Sequence, residues 1–167
     1  EANEDWATAL AAWNAALVID PNLVDAQTGQ RRTQSRTNLD NFLTDTIANP
    51  LRLGDDAVYA QTEQVLRDAT TLLTPGPKLQ SQLQQVQAFL ARAKVPVDVT
   101  IQSDGQTTVT LYGVGELGLL TTKTVSLPPG SYVAVGVRAG YRDVRQEFVV
   151  GLDGQGVQIT VSCDDTI

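Results

Sequence analysis

The chain of 167 residues is long enough for one domain or two small ones, and its hydrophobic fraction of 42% is typical of a folded chain. Its formal net charge of −7 argues against a nucleic-acid-binding protein, because such binding depends on Lys and Arg side chains that meet phosphates. No apolar run approaches the ~18 residues of a membrane span, so we expect no membrane insertion by this segment.

Histidine is absent, and Cys163 is the only cysteine. The sequence therefore excludes the usual general base, the nucleophile pairs that need histidine, histidine metal sites and an intrachain disulfide. Cys163 falls on the apolar side of its segment, which favours a buried, inert thiol. We expect a protein that is not an enzyme and that holds no cofactor and no metal.

The first part of the chain, residues 1–94, has a helical period. A first helix carries four large apolar residues on one face, at spacings of four, three and four: Trp6, Leu10, Trp13 and Leu17. Pro21 ends this helix, and a second helix is predicted over residues 22–48.

Two further helices are predicted after a connector that contains proline and glycine. Asp55 is the predicted N-cap of the third helix, whose apolar residues extend to Leu72 and Leu73. The sequence TPGP stops that helix, and Pro77 suits the first turn of the fourth. The helical period ends near Lys94.

From Val95 onward apolar and polar residues alternate, which predicts about six short antiparallel strands that close as a small sandwich or barrel. The fold class is therefore α+β, with a helical domain at residues 1–94 and a β domain at residues 95–167. In the segment SYVAVGV the alternation favours Val135 and its valine neighbours as the core side. LDGQG is predicted to be a hairpin turn. The predicted core consists of Val99, Leu111, Val125, Val135, Phe148, Ile159 and Cys163.

The sequence GVGELG satisfies the dinucleotide-binding pattern G-x-G-x-x-G, but that chemistry requires a helix directly after the glycines. The Thr-rich segment that follows favours a tight β connection instead. The paired acids Asp55–Asp56 and Asp164–Asp165 are interpreted as capping and solvated residues. Neighbouring residues at a helix start point in different directions, and the second pair lies in a predicted tail.

The β half combines several features of one known family. Gly113 stands four residues after Val109, a glycine-spaced connection leads to Gly118, and LPPG, SYVAVGV and AGY precede a final hairpin. With these pieces, residues 95–163 resemble a PEGA domain, although SDGQ replaces the Pro-Glu-Gly-Ala stretch that names the family. The resemblance implies a domain of bacterial envelope proteins without established catalytic residues.

The first helix has a second resemblance, in its spacing of small, aromatic and proline residues: Ala9, Trp13, Ala16 and Pro21. Residues 5–21 resemble the second helix of a tetratricopeptide repeat, which implies binding of peptides or partner proteins. We expect the partner helix to lie upstream of Glu1, in a larger periplasmic or otherwise extracytoplasmic protein for which a membrane anchor is one option.

Two sets of side chains are candidate partner contacts. Trp6, Leu10 and Trp13 are either core residues or a protein-binding face that becomes exposed where the preceding helix is missing. Tyr141, Arg142 and Arg145 in the outward-facing GYRDVR segment either contact an anion or glycan or form an Arg–Asp brace around a turn. The leading hypothesis is a scaffold module that binds a partner protein or self-associates, and the alternative is a sensor that binds peptidoglycan or another envelope glycan.

Overall fold

The computed structural model describes residues 3–71 and 75–167, and within them it has four α-helices followed by seven strands. The helices are α1 (Trp6–Ile19), α2 (Val24–Ala48), α3 (Asp56–Thr70) and α4 (Pro77–Arg92), with a 3-10 helix at Pro50–Gly54. The strands are β1 (Val97–Gln102), β2 (Thr108–Leu111), β3 (Gly115–Leu119), β4 (Thr122–Leu127), β5 (Gly130–Val137), β6 (Val144–Val150) and β7 (Val157–Thr160). The α+β class is confirmed, and Leu72 and Leu73 lie outside the described residues.

The chain forms two compact units. The first comprises the residues up to Pro50 together with Ala60–Ala88, and the second comprises Leu51–Tyr59 together with Phe89–Ile167. The second unit therefore contains the first residues of α3 and the end of α4 as well as all seven strands. The predicted N-cap of α3 lies in this unit and is confirmed, because Asp55 Oδ1 accepts from the backbone N–H groups of Ala57 and Val58 at 2.9 and 3.0 Å.

In the first unit, helix α1 packs against helix α2. The two helices approach closely at Gly29 of α2, where an added Cβ would lie 2.5 Å from Cε2 of Trp13. Only a residue without a side chain permits this approach, so Gly29 provides the space that the indole occupies. The buried apolar side chains of this unit include Ala26, Leu43, Leu79 and Val86.

Helix α4 is capped by a residue that is distant in the sequence. Glu4 is only 7% exposed, and its carboxylate accepts from the backbone N–H of Lys78 at 2.7 Å and from that of Leu79 at 3.1 Å. Pro77, the first residue of the helix, has no N–H to satisfy. Glu4 therefore satisfies two of the backbone donors that the start of a helix leaves unpaired.

Replacing Glu4 with alanine should lower the free energy of unfolding by about 1–2 kcal/mol, because it leaves these two N–H groups without their acceptor. Urea unfolding followed by circular dichroism measures the loss. The matched control is Asp25→Ala, which removes an exposed carboxylate from the first turn of α2. Equal effects of the two variants would contradict the capping role of Glu4.

The second unit is a two-sheet sandwich. One sheet has the strand order β4–β1–β7 and the other has the order β3–β2–β5–β6. The prediction of purely antiparallel strands was wrong for one pair: β7 runs parallel to β1, with Val157 opposite Val99. The chain crosses from one sheet to the other between β6 and β7. LDGQG is therefore a crossover loop, and the prediction of a hairpin turn there was also wrong.

The core of the sandwich draws on both sheets. Five predicted core residues are buried, namely Val99, Leu111, Phe148, Ile159 and Cys163, and Val125 is half-buried against the core. The prediction was wrong for Val135, which is only half-buried and lies outside the core cluster.

The core side of β5 carries its small residues. Ala134 and Gly136 are buried, whereas Val137 is 47% exposed. An added Cβ on Gly136 would lie 2.8 Å from Cγ2 of Thr107 and 3.0 Å from Cγ1 of Val161. Because other segments already fill this space, the valines of β5 face the opposite side of the sheet.

The glycine-rich segment after β2 forms a hairpin with β3. Gly113, Gly115 and Gly118 have positive φ angles of 78°, 144° and 77°, a backbone region that glycine adopts readily. Strand β4 follows, so the glycines are not succeeded by the helix that the dinucleotide-binding pattern requires. The structure therefore confirms the β connection and removes the basis for dinucleotide binding at this motif.

Candidate functional site

Helix α1 is apolar on all sides yet has no buried residue. Every residue from Trp6 to Ile19 is apolar except Thr8 and Asn14. A helix that is apolar on all sides is usually enclosed by neighbouring elements. Here none of its residues is buried, although α2 packs against it.

The predicted contact residues of α1 lie half-buried. Trp13 rests on Gly29, and the guanidinium of Arg36 lies 4.8 Å from the centroid of the Trp6 ring. Leu10 is half-buried as well. These contacts with α2 cover part of each indole and leave part of it accessible, so the role of this face in partner binding stays a prediction.

A group of exposed apolar side chains lies where α1 turns into α2. Val18 and Ile19 are 83% and 87% exposed, and Leu23 and Val24 are 42% and 69% exposed. We call these four residues the helix-turn cluster. Apolar spacings of four and three did not reveal the cluster, because they identify only the helix face that carries Trp6, Leu10 and Trp13. The apolar character of the whole helix was the signal that could have revealed it.

The helix-turn cluster has acidic neighbours. Asp20 follows Ile19 in the chain, Asp25 follows Val24, and both are exposed. Asp20 also fixes the turn, because its Oδ1 accepts from the backbone N–H of Asn22 at 3.0 Å and its carbonyl accepts from Leu23 N–H at 3.3 Å. The surface is therefore an apolar patch with a negative rim, held in a defined turn.

A second apolar surface of the first unit is a groove between α2 and α3 with a volume of about 400 Å³. Its apolar lining comes from Leu39, Phe42, Val65 and Ala69, and Arg36 and Asp68 contribute charge. The lining surface is mainly apolar, so the groove has the chemistry of a packing surface rather than of a reaction site.

The polar patch of the β half includes an Arg–Asp pair beside Tyr141, but neither member of that pair belongs to the GYRDVR segment. The guanidinium of Arg138 stacks on Tyr141, 4.0 Å from the ring centroid, and pairs with Asp104 at 3.1 Å. Arg145 pairs with Glu147 at 3.1 Å, and Arg142 is exposed. The brace at this end of the sandwich is thus Arg138–Asp104, which spacing along the GYRDVR segment did not indicate.

Asp104 organises the turn between β1 and β2. Its carboxylate accepts from the backbone N–H groups of Gln106 at 2.8 Å and Thr107 at 2.7 Å. These hydrogen bonds, that of Gln106 foremost, and the charge of Arg138 hold the pKa of Asp104 below its usual value of 3.8.

A lowered pKa in the folded state means that Asp104 contributes stability above its unfolded-state pKa and that this contribution is lost as the pH falls through the folded-state pKa. Asp104→Asn should therefore be less stable than the original chain at neutral pH, and the difference should shrink as the pH falls below the usual carboxyl pKa of 3.8. Urea midpoints measured at neutral and at acidic pH give the effect. A difference of the same size at neutral and at acidic pH would contradict this role.

The outer face of the four-stranded sheet carries an exposed aromatic residue. Tyr112 is 61% exposed, and its backbone N–H donates to Val133 at 2.9 Å, which continues the β2–β5 pairing. Val133 lies opposite Glu147 on β6. Paired residues in a sheet project to the same side, so Tyr112, Val133 and Glu147 form one row on the outer face.

No protein-family model matches the chain, and no curated protein matches it. The site is therefore defined by its own geometry. None of the helices described is long and apolar enough to cross a membrane. Within residues 3–71 and 75–167, no group of three or more Asp, Glu, Cys or His side chains is placed to hold a metal ion.

The second unit contains an open cleft of about 580 Å³ that is lined by Arg52, Asp56, Lys94 and Tyr132, among others. Its charges are already engaged: Lys94 pairs with Asp56 and lies 4.5 Å from the centroid of the Tyr59 ring. The Tyr132 hydroxyl donates to the Pro128 carbonyl at 2.8 Å. Lys94, Asp56 and Tyr132 are therefore already engaged in contacts within the second unit.

Proposed function

We propose that this chain is a non-catalytic interaction module that binds a partner protein through helix α1 and the helix-turn cluster. The observation that carries the proposal is that α1 is apolar on all sides and has no buried residue. Covering Val18, Ile19 and Val24 would remove apolar surface from water, which is the main favourable term in protein association.

The partner surface should be apolar with a basic rim. Asp20 and Asp25 border the cluster, and the chain as a whole has a net charge of −7. Lys or Arg residues around an apolar patch on the partner would complement these acids, speed the encounter and fix its orientation. Like-charged partners would be disfavoured.

The setting of the module follows from the two resemblances. The tetratricopeptide-like spacing of residues 5–21 favours protein binding, and the PEGA-like features of residues 95–163 favour an extracytoplasmic protein of the bacterial envelope. A helical region followed by a small β domain is compatible with both. The proposed location is the periplasm or another extracytoplasmic compartment, as part of a larger protein.

A photo-crosslinking residue at position 19 tests the proposal in cells that produce the protein. We expect a discrete crosslinked species whose other component is a single partner protein, and we expect Val24→Asp in the same chain to abolish it. The matched control is the crosslinker at Gln84, an exposed polar position on α4. The same species from positions 19 and 84, or its survival in the Val24→Asp variant, would contradict the proposed surface.

Binding of peptidoglycan or another envelope glycan is a second candidate function, and the exposed Tyr112 favours it. A sugar ring has an apolar C–H face that stacks on an aromatic ring, and Tyr112 presents its exposed ring on the outer face of the four-stranded sheet. Co-sedimentation with isolated sacculi tests this function. Loss of sedimentation in Tyr112→Ala, with Ile19→Asp unaffected, would favour glycan binding over protein binding.

A further inference from the structure

Strand β6 forms one edge of its sheet, with β5 on one side only. The Tyr112 N–H bonds to the Val133 carbonyl, so the backbone groups of Val133 point toward β2. Glu147, opposite Val133, is then in a non-hydrogen-bonded pair with β5. The backbone N–H and C=O groups of Glu147, and by alternation those of Arg145, therefore point away from β5.

A side-chain contact supports this orientation. Gln146 Nε2 donates to the Glu147 carbonyl at 3.2 Å, which fits a carbonyl that faces outward. In the part of the chain that the structure describes, no backbone group of another element bonds to Arg145 or Glu147. Such an edge is a template for pairing with a further strand.

The charges along the edge select what pairs with it. Two β6 strands can pair antiparallel so that their core sides lie on the same face of the joined sheet. The two-fold axis then lies between the two copies of one residue, which faces itself. An axis at Arg145 or Glu147 places that residue opposite its own copy, so that like charges face each other. An axis at Gln146 places Arg145 opposite Glu147 of the second copy, twice. Opposite charges at facing positions stabilise strand pairs, and like charges destabilise them.

We propose that two copies of this chain pair through β6 in antiparallel register about Gln146, which joins their four-stranded sheets into one of eight strands. Arg145 of each copy exchanges backbone hydrogen bonds with Glu147 of the other copy. The opposite charges of these two side chains face each other across the strand junction. On the core side, Val144 faces Phe148 of the second copy, so apolar residues are continuous beneath the junction.

The ion pair between Arg145 and Glu147 of one chain does not prevent these residues from pairing with the second copy. Arg145 and Glu147 side chains are 63% and 71% exposed, and an ion pair this exposed contributes little on its own. Pairing of one strand from each copy buries less surface than the ~1,200 Å² at the low end of standard interfaces. We therefore expect a reversible dimer whose population depends on concentration.

Sedimentation velocity over micromolar to millimolar concentrations tests the proposal. We expect a monomer–dimer equilibrium that Arg145→Glu and Glu147→Arg each weaken about tenfold or more, since each single change opposes like charges twice. The double variant Arg145→Glu/Glu147→Arg restores opposite charges and should recover the original dissociation constant. Lys123→Glu, the same charge change as Arg145→Glu at an exposed position of β4, is the matched control and should leave the dimer unchanged.

Amide hydrogen exchange gives a second measurement that needs no variant. The N–H groups of Arg145 and Glu147 should become more protected as the concentration rises, while that of Gln146 stays protected throughout. A monomer at every concentration, or a double variant as weak as the single ones, overturns the proposal. Dimerisation that Ile19→Asp abolishes and Arg145→Glu leaves intact also overturns it, and would assign self-association to the helix-turn cluster.

Discussion

Phe148→Ala is expected to lower the free energy of unfolding of the second unit by about 3–5 kcal/mol, the usual cost of truncating a buried aromatic residue. Phe148 is 9% exposed, belongs to the core that both sheets share, and stacks on Tyr132 with ring centroids 5.7 Å apart. Its removal leaves a cavity between the sheets and leaves the Tyr132 ring without its neighbour. Urea unfolding monitored by circular dichroism measures the loss.

Val149→Ala is the matched control for this measurement. Val149 is the next residue on β6, but it faces the opposite side of the sheet and is 53% exposed. Its truncation should change stability by no more than about 0.5 kcal/mol. If the two variants lost similar stability, the assignment of the core face of β6 would be wrong.

Gly136→Val is expected to destabilise the same unit by about 1–3 kcal/mol through overpacking. Valine favours strands, so intrinsic propensity alone predicts the opposite sign. We expect a loss of stability because the Cβ of the new side chain would lie within 3.0 Å of Thr107 and Val161. Denaturant midpoints determine which effect is larger.

Ser131→Val is the control for this second change, since it also introduces a valine on β5 but at an exposed position. It should be neutral to within about 0.5 kcal/mol. A stable Gly136→Val variant would mean that the valines of β5, rather than its small residues, face the core.

The helices and most strands could be predicted because their signals are local. The change of hydrophobic period near Lys94 separates four helices from a β region, and Asp55 and Pro77 mark helix starts through backbone chemistry alone. The faces of β5 could not be predicted in this way. Thr107 and Val161, which are distant in the sequence, occupy the space beside Gly136 and determine which side accepts small residues.

The candidate site was predictable in part. Helical spacing placed Trp6, Leu10 and Trp13 on one face, and the structure places Trp13 of that face on Gly29 of α2. The exposure of Ile19 followed from neither spacing nor propensity, because it depends on how the chain packs around the helix. Likewise, Arg138 was identified as the brace only when the fold brought it to Asp104, 34 residues away in the sequence.

Isothermal titration calorimetry of the crosslinked partner with the original chain, Ile19→Asp and Tyr112→Ala tests whether the helix-turn cluster is the binding surface. We predict that Ile19→Asp weakens binding more than tenfold, because a charge replaces an apolar side chain that is 87% exposed in the free protein and that the proposed complex would bury. Tyr112→Ala on the β unit should bind as the original chain does. Unchanged affinity in Ile19→Asp together with loss of binding in Tyr112→Ala would contradict binding through the helix-turn cluster. The binding surface would then be the outer face of the four-stranded sheet.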